Sequence, residues 1–249
     1  ASSNLKTVTL ELGGKSPIII FEDANISNAV SASMLGNFYT QGEICTNCTR
    51  VFVHKSIKDS FMQELVTRSK KLIIGDPLDK KTQVGSLISS DHKDKVLKYI
   101  KKGKDEGAKI IIGGDEPFGN ELDKGAFVRP TIFDNCSDSM SIVQDEIFGP
   151  VMSVLTFQNE EEVIKRANDT HYGLAAGVFT NDLNRGHRVI GSLEAGICWI
   201  NTYNFYPIDM PAGGFKQSGV GTENGKETIK QYTQLKTVYV EMGEVESPY

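Results

Sequence analysis

Short apolar runs alternate with longer stretches of helical periodicity along the chain. Residues 17–21 contain three consecutive isoleucines, which is typical of a buried strand. Residues 25–40 follow with helical spacing, and Asp23 or Asn25 could cap that helix. The alternation predicts an α/β fold with an open, largely parallel sheet flanked by helices. Strands are predicted at 7–10, 17–21, 50–53, 109–112, 151–157, 175–179 and 196–200, and helices at 25–40, 57–72, 91–106, 160–167 and 183–193.

The C-terminal part of the pattern differs from the rest. Residues 202–218 form the longest stretch without a regular period, and long loops in compact domains often carry function. Residues 224–232 then have helical spacing, and residues 236–241 alternate in the manner of a strand. We therefore expect a functional loop that is followed by a C-terminal helix and a C-terminal strand.

Composition and charge exclude several classes of function. The chain has 249 residues, 39% of them hydrophobic and 24% charged, with a formal net charge of −5. This charge argues against a nucleic-acid partner, because no basic stripe is present to neutralise phosphates. No apolar run approaches the roughly 20 residues of a membrane helix, and the first residues lack the features of a signal peptide. We expect a cytoplasmic protein with neither a nucleic-acid nor a membrane partner.

The four cysteines are Cys45, Cys48, Cys136 and Cys198. They are too few for a disulfide scaffold, which favours free thiols in a reducing compartment. Two residues separate Cys45 from Cys48, a spacing found in thiol redox pairs and in zinc sites. Zinc is disfavoured because no second such pair exists and the four histidines are scattered. A redox pair remains an alternative.

Two residues near glycines supply candidate chemistry. Cys45 follows Gly42 in one segment, and Glu11 precedes Gly13 in another. A thiolate can attack a carbonyl carbon and a carboxylate can act as a general base, so the two could support nucleophilic catalysis. On these residues alone, a buried structural cysteine is the more frequent situation, and Glu11 could be a surface strand residue.

Several motifs in a fixed order give the pair a context. They are residues 11–14 (Glu-Leu-Gly-Gly), 42–45 (Gly-Glu-Ile-Cys), 146–150 (Glu-Ile-Phe-Gly-Pro), 213–219 and 223–225. Together they resemble the aldehyde dehydrogenase superfamily over essentially the whole chain. The resemblance covers only the C-terminal half of the family pattern and lacks its nucleotide-binding half. It implies the thioester-forming catalytic domain of such an enzyme, nearly inactive when this chain is alone.

The resemblance implies a role for each matched residue. Cys45 would add to the aldehyde as a thiohemiacetal, hydride would pass to NAD or NADP, and Glu11 would activate the water that hydrolyses the thioester. Glu146 would hydrogen-bond the nicotinamide ribose, and Phe148 would pack near the nicotinamide ring. The cofactor-binding set is completed by Leu12 and Gly13.

The closing motif implies a proton relay or a cation site. Glu223 matches a buried glutamate that would help to relay protons, with a structural salt bridge as the alternative. Lys216 and Gly219 would offer backbone carbonyls to a monovalent cation. No other metal is expected.

The substrate is suggested by residues 198–203 and 209–214, which most resemble betaine aldehyde dehydrogenases. Betaine aldehyde carries a trimethylammonium group, which aromatic faces and a carboxylate would bind through cation–π attraction and charge. Residues 203–206 depart from those relatives, so another aminoaldehyde or a semialdehyde remains an alternative, as does simple loop packing. The residues expected in this pocket are Trp199, Tyr203, Phe205, Tyr206, Asp209 and Ile44.

The resemblance also divides the chain into three segments. Residues 1–12 would end the nucleotide-binding domain, residues 13–218 would form the catalytic domain, and residues 219–249 would form the C-terminal helix and oligomerisation strand. In family members the final strand pairs with a partner subunit's sheet, which implies a homodimer or homotetramer. An inactive, self-associating fragment is the competing hypothesis.

Overall fold

The computed structural model describes residues 2–119 and 122–249, so Ala1 of the predicted 1–12 segment lies outside the described residues. The strands are β1 (Leu10–Glu11), β2 (Pro17–Ile20), β3 (Arg50–His54), β4 (Lys109–Ile112), β5 (Thr131–Asp134), β6 (Val151–Phe157), β7 (Tyr172–Gly173), β8 (Ala175–Phe179), β9 (Ile197–Ile200), β10 (Phe215–Lys216) and β11 (Gly219–Val220). The α-helices are α1 (Ile26–Phe38), α2 (Lys58–Ser69), α3 (Ser90–Asp105), α4 (Ser141–Gln144), α5 (Glu160–Asn168), α6 (Leu183–Ser192) and α7 (Ile229–Tyr232).

The described residues contain a seven-stranded sheet in the order β4-β5-β6-β3-β2-β8-β9. Its neighbouring strands are parallel except for β4 and β5, which are antiparallel at one edge. The predicted α/β fold with a largely parallel sheet is thus confirmed. The short helix α4 was not among the predicted elements, although it lies between predicted strands.

Buried side chains on the two faces of this sheet form two separate apolar clusters. Ile19 and Phe52 point into one cluster, whereas Ile18, Ile20 and Val51 point into the other. This division follows from the two-residue period of a strand, and it explains why the isoleucine run is apolar at every position. Helices cover both faces.

Helix α1 begins where the sequence predicts. The Asn25 side chain accepts a hydrogen bond from the backbone N–H of Asn28 at 3.0 Å, which satisfies one of the free amides of the first turn. Ala29 and Ala32 are buried on the inner face. Small side chains there allow the helix to lie close to the sheet.

The residues with candidate catalytic roles lie at the amino-terminal edge of the sheet, where its parallel strands begin. Residues 11–16 precede β2, residues 43–49 precede β3 and residues 145–150 precede β6. Parallel strands begin at the same edge, so these three segments meet there. Open α/β sheets more often bind ligands at the opposite, carboxyl edge.

Two expectations about strands need correction. The predicted strand at 7–10 shrinks to β1, which pairs antiparallel with β11. The strand predicted at 236–241 is wrong for the single chain, in which those residues are exposed and belong to no ladder. A strand requires a hydrogen-bonded neighbour, and alternation alone supplies none. None of the helices in the described ranges is long and apolar enough to cross a membrane.

Candidate functional site

Cys45 lies in a loop that leaves α1 through three residues of left-handed backbone. Thr40, Gln41 and Gly42 have φ angles of 49°, 43° and 80°. Such angles are unfavourable for residues with a side chain and persist where surrounding contacts determine them. We call residues 39–49 the nucleophile loop. It reverses the chain and presents Cys45 shortly before β3 begins.

Gly42 packs against a second loop of the site. A Cβ atom on Gly42 would lie 2.6 Å from the backbone nitrogen of Pro150 and would also overlap the Gly149 carbonyl. Only glycine permits this approach, and its φ of 80° also favours glycine. We call residues 145–150 the glutamate loop. The contact fixes the nucleophile loop against it.

The thiol of Cys45 is exposed and opens into a cavity of about 280 Å³. Partial burial of the sulfur raises the pKa of Cys45, and the charges of Glu11 and Glu146 raise it further. The backbone N–H groups of Cys45 and Thr46 act in the opposite direction. The thiol therefore stays protonated at neutral pH until a base or a positive charge approaches. The other residues that line the cavity are Leu35, Tyr39, Ile44, Thr46, Asn204 and Tyr206.

Glu11 is placed by the pairing of β1 with β11, in which it lies opposite Gly219. Leu12 extends this pairing by donating its N–H to the carbonyl of Ser218 at 2.9 Å. Partial burial, followed by the charge of Glu223, raises the pKa of Glu11. A carboxylate whose pKa is raised toward neutrality is suited to general base work.

Glu223 is exposed, so the expectation of a buried glutamate is wrong for this chain. Its backbone is nevertheless held, because Glu223 and Ala212 exchange hydrogen bonds of 2.7 and 2.8 Å. The segment is only partly covered by other elements, which leaves the carboxylate in solvent. Its charge still reaches Glu11.

Glu146 lies directly over the two glycines of the 11–14 motif. A Cβ on Gly13 would come within 2.8 Å of the Glu146 Cδ, and the Gly14 N–H donates to Glu146 Oε1 at 3.2 Å. A Cβ on Gly14 would lie 2.9 Å from the Cys45 carbonyl oxygen. The glycine pair thus lies between the nucleophile loop and the glutamate loop. Burial raises the pKa of Glu146, against the opposing effects of the Gly14 N–H and nearby lysines.

Lys15 follows the glycine pair and is fully buried. Within the described residues its Nζ has no hydrogen-bond partner. Burial, reinforced by the charge of Arg50, lowers the pKa of Lys15 to about 7, although Glu146 and Asp145 act to raise it. An amine in this position is expensive to protonate, because an uncompensated ammonium is poorly solvated there.

The residues predicted for the substrate pocket do not all line one cavity. Ile44 and Tyr206 line the Cys45 cavity. Trp199 and Phe205 instead line a neighbouring groove of about 420 Å³, which Tyr206 shares. Asp209 is exposed and lines neither space. Burial and the charges of Glu11, Cys45 and Glu223 raise the pKa of Tyr206 to about 12.

Tyr203 does not line the cavity, and that prediction is wrong. The residue is 3% exposed, with its ring against the Cα atoms of Gly36 in α1 and Gly177 in β8. A Cβ on Gly177 would lie 2.7 Å from the ring. Its hydroxyl donates to the carbonyl of Thr46 at 2.8 Å, so Tyr203 supports the residue after Cys45 from inside the core.

Cys48 faces away from the cavity. Its side chain is fully buried against Gly36 and within 3.7 Å of Asn37 Nδ2. Burial raises the pKa of the Cys48 thiol well above its usual range. Cys45 points outward and Cys48 points into the core, an arrangement that opposes a disulfide between them without rearrangement of the loop.

Lys216 and Gly219 flank the turn between β10 and β11. The ammonium of Lys216 donates to the carbonyls of Asn168 and Thr170 at 2.8 and 3.1 Å and pairs with Glu194. The side chain is thus engaged at the C-terminal end of α5. The part of the chain that is described contains no group of three or more His, Cys, Asp or Glu residues that could hold a metal ion.

Four residues that line the cavity were not predicted from the sequence. Leu35 belongs to the end of α1, Tyr39 and Thr46 belong to the nucleophile loop, and Asn204 belongs to the irregular 202–218 stretch. The Thr46 hydroxyl donates to Asn204 Oδ1 at 2.8 Å, which ties that stretch to the nucleophile loop. The absence of a period at 202–218 was the one available signal, and it indicated the segment without its residues.

The residues expected to hold a nicotinamide cofactor fit its riboside end. Glu146 accepts one hydrogen bond, and a carboxylate has further acceptor capacity for ribose hydroxyls. Phe148 is half-buried on the same loop and has a left-handed φ of 60°. Glu146 is close enough to Cys45 to raise the pKa of the thiol. A carboxylate acceptor, an aromatic ring and a thiol thus lie together.

Comparison with known proteins agrees with this geometry. Residues 1–238 match the model of the aldehyde dehydrogenase family. The chain is 59% identical to the betaine aldehyde dehydrogenase of Brucella anthropi over 249 residues, which is all of this chain and 51% of that protein. The chain therefore spans about half the length of the curated relatives it matches.

Solved structures show the same relationship. The betaine aldehyde dehydrogenase of Staphylococcus aureus in complex with NAD+ superposes with a TM-score of 0.91 and 44% identity, over 93% of this chain and 46% of that chain. The NAD+ complex of the aldehyde dehydrogenase from Bacillus cereus gives a TM-score of 0.93 and 44% identity, over 97% of this chain and 48% of that chain. From its motifs, its fold and these matches, the chain belongs to the aldehyde dehydrogenase family.

Proposed function

We propose that this chain is the thioester-forming part of an NAD(P)-dependent aldehyde dehydrogenase that oxidises betaine aldehyde to glycine betaine. The observation that carries the proposal is the convergence of Cys45, Glu11 and Glu146 at one edge of the sheet. The charges of both glutamates act on the Cys45 thiol, so all three belong to one electrostatic environment. In this proposal residues 13–218 form the catalytic domain, flanked by segments 1–12 and 219–249, which β1 and β11 join.

Cys45 is the nucleophile. Its sulfur bonds to the aldehyde carbon, the carbonyl oxygen gains the electron pair, and the thiol proton passes to a base. The backbone N–H groups of Cys45 and Thr46 favour negative charge at this position. Because its pKa is raised, the Cys45 thiol becomes more reactive when its environment becomes more positive.

A bound nicotinamide cofactor would supply the hydride acceptor for the thiohemiacetal carbon, which would then become a thioester. Glu146 would hold the ribose through its free acceptor capacity, and its carboxylate is itself fixed by the Gly14 N–H. Phe148 would pack beside the nicotinamide ring. The residues of this chain thus orient the acceptor rather than take part in electron transfer.

Glu11 acts in the second half of the reaction. It removes a proton from water, the hydroxide oxygen bonds to the thioester carbon, and the carbon–sulfur bond breaks to give the carboxylic acid and the Cys45 thiolate. The remaining proton of the acid passes to the thiolate, which leaves the carboxylate product and the free thiol. The raised pKa of Glu11 improves its match to the operating pH. Glu223 acts through its charge on Glu11, and a proton relay through Glu223 is part of this proposal.

The substrate assignment rests on charge and aromatic surface. The rings of Tyr39 and Tyr206 line the Cys45 cavity, and the Glu11 and Glu223 carboxylates act on Tyr206. Aromatic faces together with carboxylates favour a quaternary ammonium over a neutral group of the same shape. The relatives named betaine aldehyde dehydrogenases support the same choice.

Peptide-mapped alkylation by iodoacetamide, with and without betaine aldehyde, tests the proposal. We expect preferential labelling of Cys45 over Cys136 and Cys198, and protection of Cys45 by the aldehyde. A neutral aldehyde of equal shape, 3,3-dimethylbutanal, should protect less well. Equal labelling of all thiols would contradict the nucleophile assignment, and equal protection by both aldehydes would favour another aldehyde class.

Self-association is a second candidate property of this chain. Val238 and Val240 are 72% and 70% exposed in a segment that alternates like a strand, while β9 leaves one edge of the sheet open. Pairing of residues 236–241 with the sheet of a second copy would cover the exposed segment of one chain and the open edge strand of the other. Sedimentation velocity should show dimers or tetramers, and a monodisperse monomer at high concentration would contradict this.

A further inference from the structure

His92 makes no hydrogen bond to Cys45, Glu11 or Glu146, yet it contacts both loops of the site through Glu43 and Phe148. It lies in the first turn of α3, where its N–H donates to the capping hydroxyl of Ser89. Its Nε2 is 2.6 Å from the carbonyl oxygen of Phe148 and 3.6 Å from Glu43 Oε1. A carbonyl can only accept, so Nε2 carries the proton and donates to Phe148.

The glutamate loop depends on such contacts. Phe148 has a φ of 60°, an unfavourable backbone conformation for a residue with a side chain. Strain of this kind persists when several neighbours determine it. The hydrogen bond from His92 is one such contact, and close packing of Val96 against Gly149 is another. Both come from α3, which therefore serves as the platform for this loop.

The nucleophile loop is attached to the same helix. The side chain of Glu43 accepts the N–H of Ile88 at 3.1 Å and the amide of Gln41 at 3.0 Å. Its carboxylate thus lies close to the N-terminus of α3, where the helix dipole favours negative charge. The side chains of Glu43 and His92 are only 10% and 14% exposed, so water competes little with their interaction.

These contacts form one bridge with His92 at its centre. Glu43 lies two residues before Cys45, and Phe148 lies two residues after Glu146. Gly42 packs on Gly149 and Pro150, so the loops also touch directly beside the bridge. A displacement of the His92 ring would disturb the position of both loops together.

We propose that His92 is a positioning residue that couples the nucleophile loop to the glutamate loop. It sets the orientation of the Phe148 peptide and the placement of Glu43, and through them the relative positions of Cys45 and Glu146. The role rests on the proposed function, because the alignment of a thiol with a cofactor-binding carboxylate has a purpose only in that reaction. His92 itself does not touch the reacting atoms.

The test compares His92→Ala, His92→Gln and His187→Ala in the 249-residue chain. Glutamine retains a donor at the position of Nε2, and His187 is an exposed histidine on α6 far from the site. Amide hydrogen exchange is followed at Ile88, whose N–H donates to Glu43, and at residues 146–149, and iodoacetamide alkylation is followed at Cys45 relative to Cys198.

Loss of one hydrogen bond predicts exchange about five- to tenfold faster at Ile88 and at residues 146–149 in His92→Ala, and a change of about threefold or more in the alkylation ratio. We expect His92→Gln to stay within about twofold of the unaltered chain and His187→Ala to be indistinguishable from it. Faster exchange confined to α3 would overturn the proposal, as would equal effects of His92→Ala and His92→Gln.

Glu43→Gln is the second variant in case His92→Ala does not fold. It keeps the side-chain shape but removes the charge that faces His92, and faster exchange at residues 146–149 would support the bridge. Unchanged exchange there would overturn it. If Cys45 of the unaltered chain is labelled no faster than Cys198, the proposed function fails, and the exchange data still decide whether His92 couples the loops.

Discussion

The two walls of the site are anchored differently. The core-side wall comprises residues 13–15, 42–49 and 145–150, each of which leads directly into a buried strand of the seven-stranded sheet. The edge-side wall comprises residues 10–12 and 213–225, which rest on two-residue strands, and Leu12 there is 46% exposed. The core therefore places the thiol and Glu146, whereas a short surface pairing places Glu11. Substitutions in the core-side wall should mainly change the free energy of unfolding, and substitutions in the edge-side wall should mainly change the reactivity of the site.

Paired glycine substitutions should give the largest contrast. We expect Gly42→Ala to lower the free energy of unfolding by about 2–4 kcal/mol, because its Cβ would meet the buried Gly149–Pro150 backbone at a φ of 80°. Gly219→Ala, whose Cβ would lie 2.6 Å from the Leu10 carbonyl oxygen, should cost only about 1 kcal/mol because the surface pairing can shift. Urea unfolding measures both.

The control for this pair is Gly191→Ala. Its Cβ would meet nothing within 4 Å inside helix α6, so the change should stabilise the chain by about 0.5–1 kcal/mol. Equal losses for Gly42→Ala and Gly219→Ala would remove the distinction between the two walls.

Lys15 gives the core-side wall a pH dependence. The native amine is neutral above its pKa of about 7, whereas the unfolded chain binds the proton up to about pH 10.5. The unfolded state thus holds more protons across this window, and stability should rise with pH through it. Lys15→Met removes the effect and should be more stable by about 1–3 kcal/mol near pH 7.

The difference between Lys15→Met and the parent should shrink as pH increases toward 10, when urea midpoints are measured at several pH values. A difference that stays constant with pH would contradict the lowered pKa of Lys15. It would show that the lysine is charged in the native state, or that local unfolding at this end of the sheet exposes it to water.

Glu11→Gln addresses the edge-side wall. Removal of its charge lowers the pKa of Cys45, so alkylation of Cys45 at pH 8 should accelerate by about two- to threefold. The unfolding free energy should change by less than about 0.5 kcal/mol because Glu11 is exposed. Glu161→Gln, at the N-terminus of α5 on the opposite edge, should change neither quantity.

The smallest effect on stability is expected at the C-terminus. Val238→Lys with Val240→Lys should leave the unfolding midpoint of the monomer unchanged, since both side chains already lie in solvent. The same variant should weaken association measured by sedimentation velocity. A fall in monomer stability would show that this segment packs on its own chain.

Local sequence was sufficient for much of the core-side wall. The isoleucine run of β2 is apolar at every position, and only a strand buried on both faces accommodates it. Asn25 caps α1 as expected. The motifs that contain Cys45, Glu11 and Glu146 lie close together in the structure. Each of them precedes a strand of the seven-stranded sheet, and those strands begin at the same edge.

The remaining features depend on tertiary contacts that a linear pattern does not contain. The space that Tyr203 fills is formed by Gly36 and Gly177, two glycines from different elements, and an aromatic residue in a loop looks the same whether it lines a cavity or fills such a space. Residues 236–241 show the pattern of a strand without the neighbour that would make them one. The exposure of Glu223 likewise depends on what covers it.

The position of the site at the amino-terminal edge also determines how it responds to salt. Helices α1, α5 and α6 all run back to this edge and end there, so their carbonyl ends give it a negative field. Two cations, Arg50 and Lys216, are already bound at the end of α5. A cationic aldehyde would be drawn to such an edge over roughly a Debye length, about 10 Å at 0.1 M ionic strength. Its capture should weaken as salt is added, whereas capture of a neutral aldehyde should not.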